Sequence, residues 1–332
     1  YQNVSTYQAH WLAGMFGQKY YRDFQDITTT FYHQAFSRKP ELMGWGYQWS
    51  TNKHGKERNT DTDFSFTNYR EADTRLAEYD RIGAKVDSIL KQLPEEEKAG
   101  FYQLLYYPVK GCEFLNKMVL YGQKNRWYAL QKRAATNSIS KEVKAYYDSL
   151  QIITQGYNSL LNGKWNPVMT TRQGFAASYF ELPKLMTVSL PDAPSLGVLA
   201  EGEDVLQGKS SIHTLPAFNT YFRQSYYVDL FNKGIIPLNW SVTTSDDWIV
   251  IDKKEGITKL EERIWVSIDW TKVPVGERIS GVIDVMAGSA GKDKIYVSVF
   301  NPSSPSLQEM DSLFVEHNGY VSINASDYHR KV

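Results

Sequence analysis

The sequence predicts a multidomain chain, α then β: a helical bundle, then an immunoglobulin-like β-sandwich, then the start of a further β domain. Three observations predict it. Apolar residues keep the 3.6-residue helical period up to about residue 185. Near Pro183 the pattern switches to period-2 alternation broken by turn residues. A proline- and serine-rich stretch, Asn301-Pro302-Ser303-Ser304-Pro305-Ser306, then reads as a linker. The expected divisions are residues 1–185, 186–302 and 303–332.

The first segment reads as helix from about Thr6 to Phe36, broken near Gly17, with Tyr7, Trp11, Met15 and Phe16 on one face. Asn68 with Glu71 matches a capping box, and Leu76, Tyr79, Val86, Ile89, Leu90 and Leu93 carry the helical period after it. Pro94 followed by Glu95, Glu96 and Glu97 reads as the next helix start, since proline suits the first position and carboxylates suit the positive end of the macrodipole. Pro108 falls inside that helix, with Phe101, Leu104 and Leu105 before it and Val109, Cys112, Leu115, Met118 and Val119 after it. A helix-interior proline costs on the order of 3 kcal/mol, so a kinked and deeply packed helix is expected, ending near Arg133. A further helix is expected from Ser140 to Asn162, with Val143, Tyr147, Leu150, Ile153, Tyr157, Leu160 and Leu161 inward and Gly163 as a left-handed C-cap.

Seven strands are expected: Gly197–Glu201, Ser225–Asn232, Leu238–Thr243, Trp248–Asp252, Arg263–Trp270, Ile279–Ala287 and Lys294–Phe300. Short, evenly spaced strands of this kind indicate an antiparallel sandwich. The string Asn239-Trp240-Ser241-Val242, then Asp247-Trp248-Ile249 and Glu255-Gly256, resembles a bacterial immunoglobulin-like module often appended to carbohydrate-active enzymes. Beyond the linker, Phe314–Glu316 and Gly319–Ile323 read as opening strands of a third module.

Composition narrows the function classes. The chain has 332 residues, and 37 Lys plus Arg balance 37 Asp plus Glu, so no electrostatic case exists for nucleic acid or an anionic membrane. No apolar run approaches the roughly 20 residues that span a bilayer. The single cysteine, Cys112, excludes an intrachain disulfide and sits on an apolar stripe, as a buried structural thiol does. The chain begins at Tyr1 in what reads as helix, as an excised or processed fragment would.

Little chemistry is legible. The six histidines are scattered and lack metal-ligand spacing, Asp61 and Asp63 lack the other ligands of a calcium loop, and no phosphate loop, dinucleotide fingerprint or nucleophile elbow is present. Asp246-Asp247 reads as a turn. No catalytic residue, metal ligand or cofactor is assigned. The 14% aromatic content fits large cores, and it also fits aromatic platforms for sugars.

Several strings, in order, resemble one family: Arg38-Lys39-Pro40-Glu41-Leu42, Asn68-Tyr69-Arg70-Glu71-Ala72, Tyr107-Pro108-Val109-Lys110, Asn125-Arg126-Trp127-Tyr128-Ala129, Gly163-Lys164-Trp165-Asn166 with Met169, and Phe314-Val315-Glu316 with Gly319-Tyr320-Val321-Ser322-Ile323-Asn324-Ala325. Together they resemble the C-terminal half of glycoside hydrolase family 115, the xylan α-1,2-glucuronidases. The resemblance implies a parent enzyme in which a catalytic (β/α)8 barrel precedes a helical bundle and β-sandwich domains. The catalytic carboxylates would then lie upstream of Tyr1. It further implies a glucuronoxylan-type polysaccharide or oligosaccharide as substrate, a homodimer, and a periplasmic or secreted location.

Four residues are candidates for sugar contact. Thr170-Thr171-Arg172-Gln173-Gly174-Phe175 occupies the position of a family loop that often carries a histidine and a tyrosine around the glycine; Arg172-Gln173 and Phe175 depart from that pattern. Arg172 suits the carboxylate of a uronic acid, and the simpler reading is a structural or solvated arginine. Trp45, Tyr47 and Trp49 are placed to stack on xylose rings, and the simpler reading is packing against the bundle. A non-catalytic carbohydrate-binding or surface-adhesion protein is the alternative function.

Overall fold

The computed structural model describes residues 4–43, 61–170, 181–203, 212–306, 308–310 and 313–323. The chain divides into two compact units: residues 1–126 with 136–187, and residues 127–135 with 188–332.

The first unit is helical. Helices α1 (Val4–Phe16) and α2 (Tyr21–Ser37) are separated at Gly17, as expected. The buried face of α1 is Ala9, Leu12, Ala13 and Phe16, not the expected aromatic one. Tyr7 is 72% exposed, Trp11 48% and Met15 44%; of the expected face only Phe16 is buried. The alanines let α1 approach its neighbours closely, and the bulky side chains take the opposite side. Phe16 meets Phe101 edge-on at 5.4 Å, and Phe24 completes the cluster at 6.3 and 6.4 Å.

Helix α3 (Glu71–Gln92) buries Leu76, Tyr79, Val86 and Ile89, as its periodicity predicts. Its start corrects the expected capping box. Tyr69 and Arg70 are left-handed (φ 55 and 54), and the Asn68 N–H itself donates to Ser65 Oγ at 2.8 Å. Glu71 Oε2 accepts the Ser65 N–H instead, at 3.0 Å. Only the glutamate half of the box forms, three residues earlier than expected, while the Ser65 hydroxyl closes the local turn by accepting the Thr67 and Asn68 N–H groups.

Helix α4 (Glu95–Phe101) follows Pro94, which takes the N-cap rather than the first helical position. It runs through a π turn at Tyr102–Tyr106 into α5 (Tyr107–Leu130). The π turn is this fold's accommodation of Pro108. Proline has no N–H to offer the Leu104 carbonyl four residues back, and its ring crowds that carbonyl. In the wider turn the Tyr107 N–H bonds the Tyr102 carbonyl, so pairing continues up to the proline. Val109, Leu115, Met118 and Val119 are buried, Cys112 is half-buried and Leu104 is 43% exposed.

Helix α6 (Ala135–Gly163) buries Val143 and Ile153. Its last turn departs from expectation: Leu161 and Asn162 leave helical geometry, and Leu161 is exposed rather than inward. Gly163 has the expected positive φ, 78°.

The second unit contains two sheets packed on a common core. One sheet has the order β1-β4-β8-β6, from Leu196–Ala200, Tyr226–Asn232, Glu261–Ile268 and Ile249–Ile251. The other runs β10-β9-β5-β7, from Lys292–Asn301, Gly276–Met286, Leu238–Thr244 and Glu255–Thr258. Two short strands, β2 (His213–Thr214) and β3 (Phe218–Asn219), run parallel to β10 at its free edge. Leu230, Ile264 and Val266 face Ile283, Val285 and Val297 in the core. All seven expected strands form. The other three, β2, β3 and β7, were not expected.

The expected third-module strands are not found among the described residues. Residues 313–323 carry a single bridge, His317 to Tyr320, closed by Asn318 and Gly319 at positive φ. The proline–serine stretch is held in place, with Tyr221 Oη donating to the Pro305 carbonyl at 2.7 Å.

Candidate functional site

Three amide side chains and one arginine in the first unit grip the chain beside the two segments singled out from the sequence. Gln123 Oε1 accepts both the Thr62 N–H and the Thr62 hydroxyl at 2.8 Å, and its Nε2 donates back to the Thr62 carbonyl at 3.2 Å. Asn125 Oδ1 accepts the Met186 N–H at 2.7 Å, while its Nδ2 donates to the carbonyls of Met186 and Thr136 at 3.0 and 2.9 Å. Both amides are fully buried, so these bonds supply what water would otherwise give. On α6, Asn158 makes the same reciprocal pair with Met169.

Arg126 joins two of these points. Its guanidinium pairs with Asp61 and donates to the Lys184 carbonyl at 3.1 Å. Gly122, one turn earlier, lies against Pro183; a Cβ there would stand 2.8 Å from the proline ring. One stretch of α5, residues 122–126, therefore holds the chain at 61–62 and at 183–186. Trp45, Tyr47 and Trp49, and Arg172, lie outside the described residues. The described chain resumes from their segments at Asp61 and Glu181. Asn125-Arg126 was legible only as part of a family-like string, because the clamp partners are distant in sequence.

A second cluster sits in the other unit. His213 Nδ1 lies 2.9 Å from Glu203, and its Nε2 lies 3.3 Å from Asp293 on β10. Burial alone would lower the imidazole pKa. The hydrogen bond that the ring donates to Glu203 and the charges of Glu203 and Asp293 outweigh it and raise the pKa above the ordinary value. Sequence reading missed this site, since Glu203 and Asp293 are ordinary surface residues until β2 pairs with β10.

Among the described residues, no group of three or more His, Cys, Asp or Glu side chains could hold a metal ion. Nor is any helix among them long and apolar enough to cross a membrane. Neither cluster is a nucleophile–base pair, and the two carboxylates of the second are both engaged by His213. What the first can do is position neighbouring chain.

No family profile matches this chain, and no curated protein matches it. Solved structures resemble it weakly. One is described as a novel family GH115 4-O-methyl-α-glucuronidase with specificity for decorated arabinogalactans. It shows 15% identity and a TM-score of 0.45, with 90% of this chain and 40% of that chain covered. This chain thus spans 40% of that protein's length. A Bacteroides ovatus GH5 xyloglucanase is similar over 34% of this chain and 20% of its own, with 16% identity and a TM-score of 0.24. A family 123 glycoside hydrolase from Clostridium perfringens is similar over 33% of this chain and 28% of its own, with 14% identity and a TM-score of 0.24.

Proposed function

We propose that this chain is the helical and β-sandwich portion of a glycoside hydrolase that removes glucuronic acid or its 4-O-methyl ether from xylan side chains. The observation that carries the reading is the ordered set of family-like strings along nearly the whole chain. Two of those strings do identifiable work. Tyr107-Pro108-Val109-Lys110 opens α5 directly after the π turn, and Asn125-Arg126 holds the chain at two distant places.

The catalytic barrel lies upstream of this chain and supplies both catalytic carboxylates. Hydrolysis is inverting: one carboxylic acid protonates the departing glycosidic oxygen, and one carboxylate activates water from the opposite face. This portion supports the barrel and presents the segments with Trp45, Tyr47, Trp49 and Arg172 at the rim. The aromatic rings stack on xylose, and Arg172 takes the uronic carboxylate. The parent is a periplasmic or secreted homodimer. Its sandwich is immunoglobulin-like. The strand sets β1-β4-β8-β6 and β10-β9-β5 correspond to the A-B-E-D and G-F-C sheets of that fold, with β7 added out of the usual order.

The test is glucuronic acid release from glucuronoxylan by the full natural polypeptide. Release that is lost in Arg172→Ala, with folding retained, supports the rim role. A natural polypeptide that releases none from any glucuronoxylan ends the enzyme reading and leaves a carbohydrate-binding or adhesion protein.

A further inference from the structure

The second unit holds an open cleft of about 730 Å3 on the outer face of β9 and β10, walled on its far side by Pro305, Met310 and residues 314–318. That volume falls within the roughly 300–1,000 Å3 of small-ligand sites. Its polar lining is ordered by the strands. Ser280 stands directly opposite Ser298 in the β9–β10 register. Strand alternation turns both away from the buried Ile283 and Val297, on the side of Arg278. Ser280, Ser298, Glu277 and Arg278 make no side-chain hydrogen bond or ion pair with any other described residue.

Aromatic faces stand beside these groups. Tyr221 and Phe300 lie 6.2 Å apart, and Tyr221 is held by its bond to the Pro305 carbonyl. One wall is locked by His317, whose Nε2 lies 2.9 Å from both Tyr226 Oη and Gln224 Nε2. Burial keeps the His317 pKa below its ordinary value, so its imidazole is neutral near pH 7.

Charge decides the ligand class. The lining carries one guanidinium, Arg278, against two carboxylates, Glu277 and Glu316, a balance that repels polyanions. A purely apolar ligand would strip water from four polar groups without replacing their bonds. A ligand with flat apolar faces and many hydroxyls satisfies both halves of the lining. We infer that this cleft binds a neutral oligosaccharide about two or three rings long. Tyr221 and Phe300 take the C–H faces of the rings, Arg278 and Glu277 take vicinal hydroxyls, and the paired serines take a third. This does not depend on the glucuronidase reading, because it asks only whether the present chain binds neutral sugar.

Isothermal titration of this chain with xylohexaose, cellohexaose and β-1,4-galactohexaose, and with polygalacturonate as the acidic control, tests it. The expected result is saturable binding of at least one neutral hexasaccharide, weakened at least ten-fold in Arg278→Ala and in Glu277→Gln. Both positions are exposed, so unchanged thermal unfolding of each variant is expected and is checked. Binding of none of the neutral probes at millimolar concentration overturns the inference. So does binding of polygalacturonate alone, or unchanged affinity in both variants.

Discussion

Each unit buries an arginine, and the two solve the same problem differently. Arg75, in the helical unit, has no carboxylate among its bonded partners. Its Nε donates to Asn116 at 2.7 Å, and Nη1 and Nη2 donate to the carbonyls of Gln34 and Arg38 at 3.0 Å. Those carbonyls end α2, where the helix dipole is negative, so the guanidinium is held by aligned peptide dipoles. Burial lowers its pKa. Arg133, in the sandwich unit, is fully buried between the rings of Tyr128 and Phe231, 4.1 and 4.0 Å from its guanidinium carbon. Its Nη1 meets Glu261 at 2.9 Å and Asp229 at 3.6 Å. Burial opposes its charge, and Tyr128, Asp229 and Glu261 reverse that and raise its pKa. A dipole cage spreads its support over many partners, whereas an ion pair concentrates it in one or two.

Removing single partners should break the comparison. The largest effect is expected for Glu261→Ala, which strands Arg133 with Asp229 at 3.6 Å and a second nitrogen, Nη2, that already lacks a bond. Breaking a buried pair this way costs about 3 kcal/mol or more. Calorimetric unfolding should show the loss, and Arg133→Met should recover much of it in the double variant. A loss no larger in Glu261→Ala than in an exposed carboxylate variant would show that the pair is not stabilising.

In the helical unit, Gly83→Ala comes next. A Cβ at Gly83 would stand 2.0 Å from Glu113 Oε2, which is paired with Lys110 at 2.6 Å. The carboxylate must shift, and the buried Lys110–Glu113–Lys117 network shifts with it. Crowding of this kind costs about 2 kcal/mol. Asn116→Ala should cost less, about 1 kcal/mol, because Arg75 keeps its carbonyl partners. Urea unfolding of the two variants checks the order; an Asn116 loss as large as that of Glu261→Ala would undo the distinction between cage and pair.

The same contrast explains what the sequence revealed. Periodicity is a property of neighbours along the chain, so α2, α3 and the seven expected strands were legible. Gly163 and the break at Gly17 were legible too, since each needs only local backbone geometry. The face of α1 was misread because its bulky stripe is more hydrophobic by composition than the alanine stripe that packs. The strands β2 and β3, of two residues each, are too short for alternation to register and exist only as partners of β10, while Gly256 interrupts the alternation in β7. The Asn125–Arg126 clamp and the Glu203–His213–Asp293 cluster join residues far apart in sequence, so no spacing rule could find them.

His213 offers the smallest and sharpest test, because here the cation between two carboxylates can be switched off. Its folded pKa is raised above the ordinary histidine value. The folded state therefore binds the proton more tightly than the unfolded chain does. The resulting stability is fully present below the ordinary histidine pKa and is lost as pH rises through the raised one. Arg133 cannot lose its proton in this range, so the Arg133–Glu261 pair should be indifferent to the same change. Thermal unfolding of the wild-type chain should show an extra loss of stability across that window, absent in His213→Gln and present in Glu261→Ala. An identical pH profile for His213→Gln and wild type would mean that Glu203 and Asp293 do not hold the charged ring. A profile that flattens in Glu261→Ala would assign the titration to the other cluster.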